Sequence, residues 1–252
     1  FVCAEGNVKY VTLENPVFIR CNVCMHFEFT SDYTVTNARD YDTGKKADHV
    51  PANTEYPFFG WSIYHCFSRN AKINSCTFEK SAYHMANEGA SKIKSIHYSN
   101  TTALTYVFEG VGPADVDKDY FSDVTWDGCT SIREFIYQQS TDAPLSYLRD
   151  FRVTDSTCLL DGAGNGNAVG ISIVRGVNFT LDDTTFVNSC LRIKAEGLTS
   201  VTNNKWTKGT DNTQSIFDGT GGGLGAGNFL EFTGNLFARA GGVVFGDAAI
   251  HM

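Results

Sequence analysis

One short pattern recurs along the chain and limits what it can fold into: an apolar residue, four mostly small or polar residues, then a second apolar residue. It is clearest where Val124 pairs with Cys129, Val153 with Cys158 and Leu181 with Phe186, with first anchors 29 and 28 residues apart. Followed outward, it gives Leu13 with Phe18, Ile73 with Phe78, Val201 with Trp206 and Phe232 with Phe237. Two weaker copies start at Val35 and Ile96, where the second anchors are the polar Asp40 and Thr101. Thr follows the first anchor in five copies, and Asn or Asp fills most of the turns. A recurring period of this size marks stacked repeats.

Most steps are 20–31 residues, about one turn of a parallel β-coil with short strands, tight polar turns and a loop of variable length. Each pair of anchors then falls on the pair in the coil below, about 4.8 Å away, and buries a continuous column. A helical solenoid is the rival for this period. Helical periodicity is poor, and β-branched, aromatic, Gly and Asn residues dominate over Leu, Ala, Glu and Lys, which favours strands. The expectation is an all-β fold: a right-handed parallel β-helix of about nine coils with variable side loops, forming a single domain over residues 1–252. The hand follows the general rule for parallel crossovers.

The net charge of −8 and pI near 5.2 argue against nucleic acid and anionic membranes as partners. No apolar run reaches the ~18 residues needed to span a bilayer, so no membrane insertion is expected. No signal peptide is visible, and the chain opens at Phe1, which is read as a piece of a longer protein.

Eight cysteines raise the question of a disulfide scaffold. Cys129 and Cys158 take the same second-anchor position, where other coils have Phe or Trp, as buried apolar thiols do. Cys21 and Cys24 form a CxxC without the second half of a zinc site. Structural thiols are expected, with no metal and no cofactor, and free thiols point to assembly in a reducing cytosol.

The longest step, 38 residues from Val35 to Ile73, holds an insertion loop at 41–60. Asp115, Asp117 and Asp119 alternate like the start of a calcium loop but lack its Gly and distal Glu, so a solvated acidic loop is expected. Gly-rich loops at 162–168 and 219–228 carry no nucleotide-binding pattern, and there is no Gly-x-Ser-x-Gly elbow. Asn100 and Asn178 open glycosylation sequons that are expected to be chance. The six histidines show no metal spacing and are read as incidental.

What remains is a lateral lane, two positions after the first anchor: Ser75, Tyr98, Trp126, Asp155, Asp183 and Asn203. Two aromatics adjoin two carboxylates one coil apart, with Asp127 and Asp182 flanking them. Aromatic faces cover the apolar face of a sugar ring, so Trp126 and Tyr98 are candidate substrate-binding residues. Paired carboxylates perform glycoside hydrolysis, retaining at about 5 Å and inverting when wider. Asp155, Asp183, Asp127 and Asp182 are therefore candidate catalytic residues. The competing reading is structural: Asn and Asp also cap tight turns by bonding their own backbone.

The Val-Thr-x-Asn-x-Phe repeat, long side loops, cysteine column and absent signal resemble the right-handed parallel β-helix proteins of the pectin-lyase-like group, and among them the bacteriophage tailspikes. The resemblance covers roughly residues 8–245 and rests on repeat style, with no motif that transfers catalytic residues. It implies a homotrimer in the virion tail, assembled in the host cytoplasm with other virion proteins, that binds and often cleaves a bacterial surface polysaccharide. The pectate-lyase calcium and Arg patterns are not evident. Two function classes follow. One is an endo-acting depolymerase, either a glycoside hydrolase using paired acids or a lyase using a base such as Lys194, Arg192, Arg175 or Tyr106. The other is a non-catalytic receptor-binding or structural β-helix of a viral appendage.

Overall fold

The computed structural model describes residues 2–4, 6–19, 21, 23–41, 61–78, 82–88, 93–111, 121–139, 148–159, 169–187, 189–207, 217–218, 229–238, 243–244 and 249–251. Residues 42–60 of the insertion loop expected at 41–60, the loops expected at 162–168 and 219–228, and Asp115, Asp117 and Asp119 lie outside the described residues.

Every regular element among the described residues is a β-strand, and every strand pairing is parallel. Each strand pairs with the equivalent strand one repeat later, so strands stack in layers. One sheet has nine short strands, from Val17–Ile19 to Leu236–Ala238. The other has eighteen and consists of two wings. Its first wing includes Val23–Glu28, Trp61–Cys66, Ala82–Glu88 and Tyr106–Val111. Its second wing includes Ser31–Thr36, Arg69–Asn74, Ile93–Ser99, Phe121–Asp127 and Leu148–Thr154. The long strands Val169–Asp182 and Cys190–Thr202 run through both wings. This all-β, parallel arrangement is compatible with the expected β-helix.

The register departs from the expected alignment in two layers. Val153 pairs with Leu181 and Leu181 with Val201, as the repeat requires. On the other side, however, Val153 pairs with Trp126, Trp126 with Tyr98 and Tyr98 with Ile73. The column then continues through Val35 to Leu13. Val124 and Ile96 do not stack under Val153. They stand two residues earlier, in a neighbouring inward column with Ala71, Phe151 and Phe179. The second anchors shift with them: Ala103 and Ser131, not Thr101 and Cys129, align with Phe78, Cys158 and Phe186. Cys129 and Cys158 therefore occupy different columns. Alternate residues of a strand share a face, so an apolar-x-apolar run admits two registers that differ by two.

The two inward columns of the second wing form the centre of the core. Tyr33, Tyr98, Trp126 and Phe151 are all buried there. Trp126 lies parallel to Tyr98, with ring centroids 5.8 Å apart, and edge-on to Phe135 and Phe151. Its indole N–H has no hydrogen-bond acceptor, an omission that costs about 1–3 kcal/mol against the larger gain from burying the ring. His65, buried on the first wing, is hydrogen-bonded through Nδ1 to the Tyr33 hydroxyl at 2.5 Å and through Nε2 to the Tyr98 hydroxyl at 2.9 Å, one ring nitrogen donating and the other accepting. This satisfies a polar group that would otherwise be costly to bury.

The described thiols of Cys21, Cys24, Cys66, Cys76, Cys129 and Cys158 form no disulfide with one another, and all but Cys21 are buried. Burial pushes the Cys76 and Cys158 thiols up to about 11, which keeps them protonated and unreactive.

Candidate functional site

After each second-wing strand the chain turns sharply, and the residue at the turn has positive φ. In order these are Asn15, Asn37, Ser75, Asn100, Gly128, Asp155, Asp183, Asn203 and Gly234. Left-handed backbone is costly for most side chains and least so for Gly, Asn and Asp, which explains the composition of this column. Packing adds a second constraint. A Cβ on Gly128 would lie 2.7 Å from Asn100 Oδ1, so the Asn100 side chain fills the space left by the glycine one layer on.

Asp155 and Asp183 occupy adjacent layers of this turn column, with φ of 49° and 45°, and both are exposed. The Asp155 backbone N–H donates to the Asp182 carbonyl at 3.3 Å, which ties the two layers together. The two carboxyls stand on adjacent layers, so each lies in the field of the other. Asp155 is held above the usual carboxylate range, through desolvation at the turn and then the charges of Asp183, Asp127 and Asp182. Because the side chain faces solvent, the like charges are the part of this effect that the geometry supports.

Asp127 and Asp182 stand in the next column, at the outward edge of the second wing, two layers apart with Thr154 between them. Asp127 Oδ1 accepts the Thr154 hydroxyl at 3.2 Å. Asp182 Oδ1 accepts the Thr202 hydroxyl at 2.6 Å and Asn203 Nδ2 at 3.0 Å. Four carboxylates thus lie along one exposed edge, and the less bonded pair, Asp155 and Asp183, faces solvent side by side.

Trp126 and Tyr98 are not in this lane. They are 0% and 1% exposed, with their ring faces packed against each other and against core aromatics. No sugar reaches them, and the sugar-stacking role expected for them is withdrawn. The cause is the two-residue slip in register, which placed inward aromatics at turn positions held by Asn100 and Gly128. Tyr106 is also fully buried, which removes it as a lyase base. Arg175, Lys194 and Arg192 lie in the strands Val169–Asp182 and Cys190–Thr202; their side chains are outside the described residues.

Sequence reasoning missed two columns of basic and hydroxyl side chains on the outward side of the same wing. Lys72, His97, Thr125 and Arg152 form one outward column, and Arg69, Lys94, Ser122 and Arg149 another, across the same four layers. Correct register would have revealed them, since they stack in two columns three residues apart, with the positive-φ residues Asn70, Ser95, Asp123 and Asp150 between them. Among the described residues, no three His, Cys, Asp or Glu side chains are placed to hold a metal ion. No protein-family model, no curated protein and no solved structure matches the chain.

Proposed function

We propose that the chain is a right-handed parallel β-helix of about nine coils that works as a tailspike-like protein, binding and depolymerising a bacterial surface polysaccharide. The observation that carries the reading is the exposed pair Asp155 and Asp183 on adjacent layers, with Asp155 held toward its protonated form. A glycosidase needs one carboxyl as a proton donor and another as an anion, and like charges in contact divide the roles this way. Asp155 protonates the glycosidic oxygen as the bond to the anomeric carbon breaks. Asp183, ionised, attacks or stabilises that carbon. Adjacent layers lie about 4.8 Å apart, near the separation of a retaining pair. Asp127 and Asp182 are alternative members, each already accepting a hydroxyl hydrogen bond.

The working form in this reading is a homotrimer in the virion tail, assembled in the host cytoplasm alongside other virion proteins. Exposed Val17, Ile19, Tyr41 and Leu236 on the nine-strand sheet support subunit packing there. A specific observation favours a second reading, a non-catalytic receptor-binding or structural β-helix: Asp155 and Asp183 stand where the backbone itself selects Asp. A panel of capsular and O-antigen polysaccharides, assayed for new reducing ends and for the absorbance of an unsaturated product, separates the readings. New reducing ends without that absorbance support hydrolysis, the absorbance identifies a lyase, and no product from any polymer favours the second reading.

A further inference from the structure

The chain carries a net charge of −8, yet one face of it is basic. In four successive layers of the second wing, outward positions hold Arg69 and Lys72, then Lys94 and His97, then Ser122 and Thr125, then Arg149 and Arg152. The carboxylates that interrupt this face are Asp123 and Asp150, each engaged by a neighbour. Ser95 Oγ donates to Asp123 at 2.6 Å, and Asn178 Nδ2 donates to Asp150 at 2.8 Å. Lys72, Lys94 and Arg152 are exposed and make no ion pair among the described residues.

The layer between the cationic rungs is the informative one. Ser122 and Thr125 are short hydroxyl side chains, so side-chain height dips in this layer, with Lys94 and His97 on one side and Arg152 on the other; the Asp123 carboxylate, between them in the same strand, is turned to Ser95 Oγ in the neighbouring layer. His97 Nδ1 and Thr125 Oγ1 are hydrogen-bonded at 2.6 Å, which fixes the imidazole against this dip. The rungs on either side are two layers apart, about 9.6 Å at the usual strand spacing, enough to admit one anionic group between them. The same strand continues from Thr125 through Trp126 to Asp127, so the dip lies two residues from the acidic edge.

We infer that this dip seats the acid group of an anionic polysaccharide, held by Lys94, His97 and Arg152 with hydrogen bonds from Ser122 and Thr125. As a substrate class this rests on the depolymerase reading; as a binding site it does not. A polyuronate fits better than a nucleic acid. Duplex DNA carries one charge per ~1.7 Å, which would run its phosphates into Asp127, Asp155, Asp182 and Asp183. An acidic glycan carries its charges one sugar or more apart, with hydroxyls between them for Ser95, Ser99 and Asn74. Single strands need exposed aromatic platforms, and the aromatics of this wing, Tyr98 and Trp126, are in the core.

The test is calorimetric titration of the full chain with polygalacturonate, polysialate, dextran and single-stranded DNA, at low and moderate salt. The expected result is binding of at least one of the two acidic glycans, weakened by salt, with no binding of dextran. Lys94→Glu combined with Arg152→Glu should weaken it ~10-fold or more, while Lys205→Glu on the nine-strand sheet leaves it unchanged. Asp155→Asn and Asp183→Asn should keep binding, and a parent chain that binds an acidic glycan but releases no new reducing ends from it supports the seat while ending the depolymerase reading. The inference is overturned if neither acidic glycan binds, if dextran or DNA binds as tightly, or if the double variant, folded by its melting curve, binds like the parent.

Discussion

At the scale of single residues, two aspartates of the second wing titrate in opposite senses. Asp155 is held above its ordinary value, so the folded chain binds its proton more tightly than the unfolded chain, where the value is about 3.9. Stability therefore falls as pH rises through the window between those two values and is level above it. Asp32 is held below its ordinary value by hydrogen bonds from Asn70 Nδ2 and Ser31 Oγ. Its contribution is present above about pH 4 and is lost as pH falls toward the lowered value. Asn suits left-handed backbone as well as Asp does, so the isosteric change isolates the charge. Asp155→Asn should raise the melting temperature at pH 7 and Asp32→Asn should lower it, both effects fading in acid. Thermal melts at pH 7 and pH 3 check the signs. Gly197 tests the turn geometry: its φ is +76°, and a Cβ there would lie 2.3 Å from Asn178 Oδ1. Gly197→Ala should cost more than ~1 kcal/mol, read from denaturant midpoints.

At the scale of elements, the repeat was legible because β-coils place chemically similar residues in columns, and six of the seven copies with two apolar anchors keep to the same pair of columns, Val124 with Cys129 being the exception. What the pattern did not give was register within a layer. Ile96 and Tyr98, like Val124 and Trp126, are both inward and apolar, so alternation could not choose between them. The deciding signal was the turn: Asn100 and Gly128 tolerate left-handed backbone, and the strand must end just before them. Counting from those residues places Tyr98 and Trp126 in the core and exposes the outward column of Lys72, His97 and Arg152. The acidic pair was legible for the same reason, since Asp155 and Asp183 are themselves turn residues and kept their register. Trp126 gives a prediction at this scale. Trp126→Ala leaves a cavity beneath Tyr98 and should cost about 3–5 kcal/mol, measured by chemical denaturation. The sugar-stacking role would instead have predicted lost affinity at unchanged stability.

At the scale of the whole molecule, the second wing presents an acidic edge beside a basic face, and the nine-strand sheet presents the exposed apolar side chains. Val17 and Ile19 are 57% and 64% exposed, and Tyr41 follows Ile19 in the next layer. If this face packs subunits, light scattering at micromolar concentration gives a trimer mass, and Ile19→Glu with Tyr41→Glu shifts it toward monomer. A monomer mass for the parent chain would count against the trimer. The central claim is that Asp155 and Asp183 cleave a glycan as well as shape a turn. The most direct measurement is the rate of new reducing ends from a susceptible polysaccharide for the parent, Asp155→Asn and Asp183→Asn, each with its melting temperature. The account predicts rates lowered by roughly 10²–10⁴-fold in either variant, with melting temperatures no lower than the parent's. Full activity in both variants would contradict it.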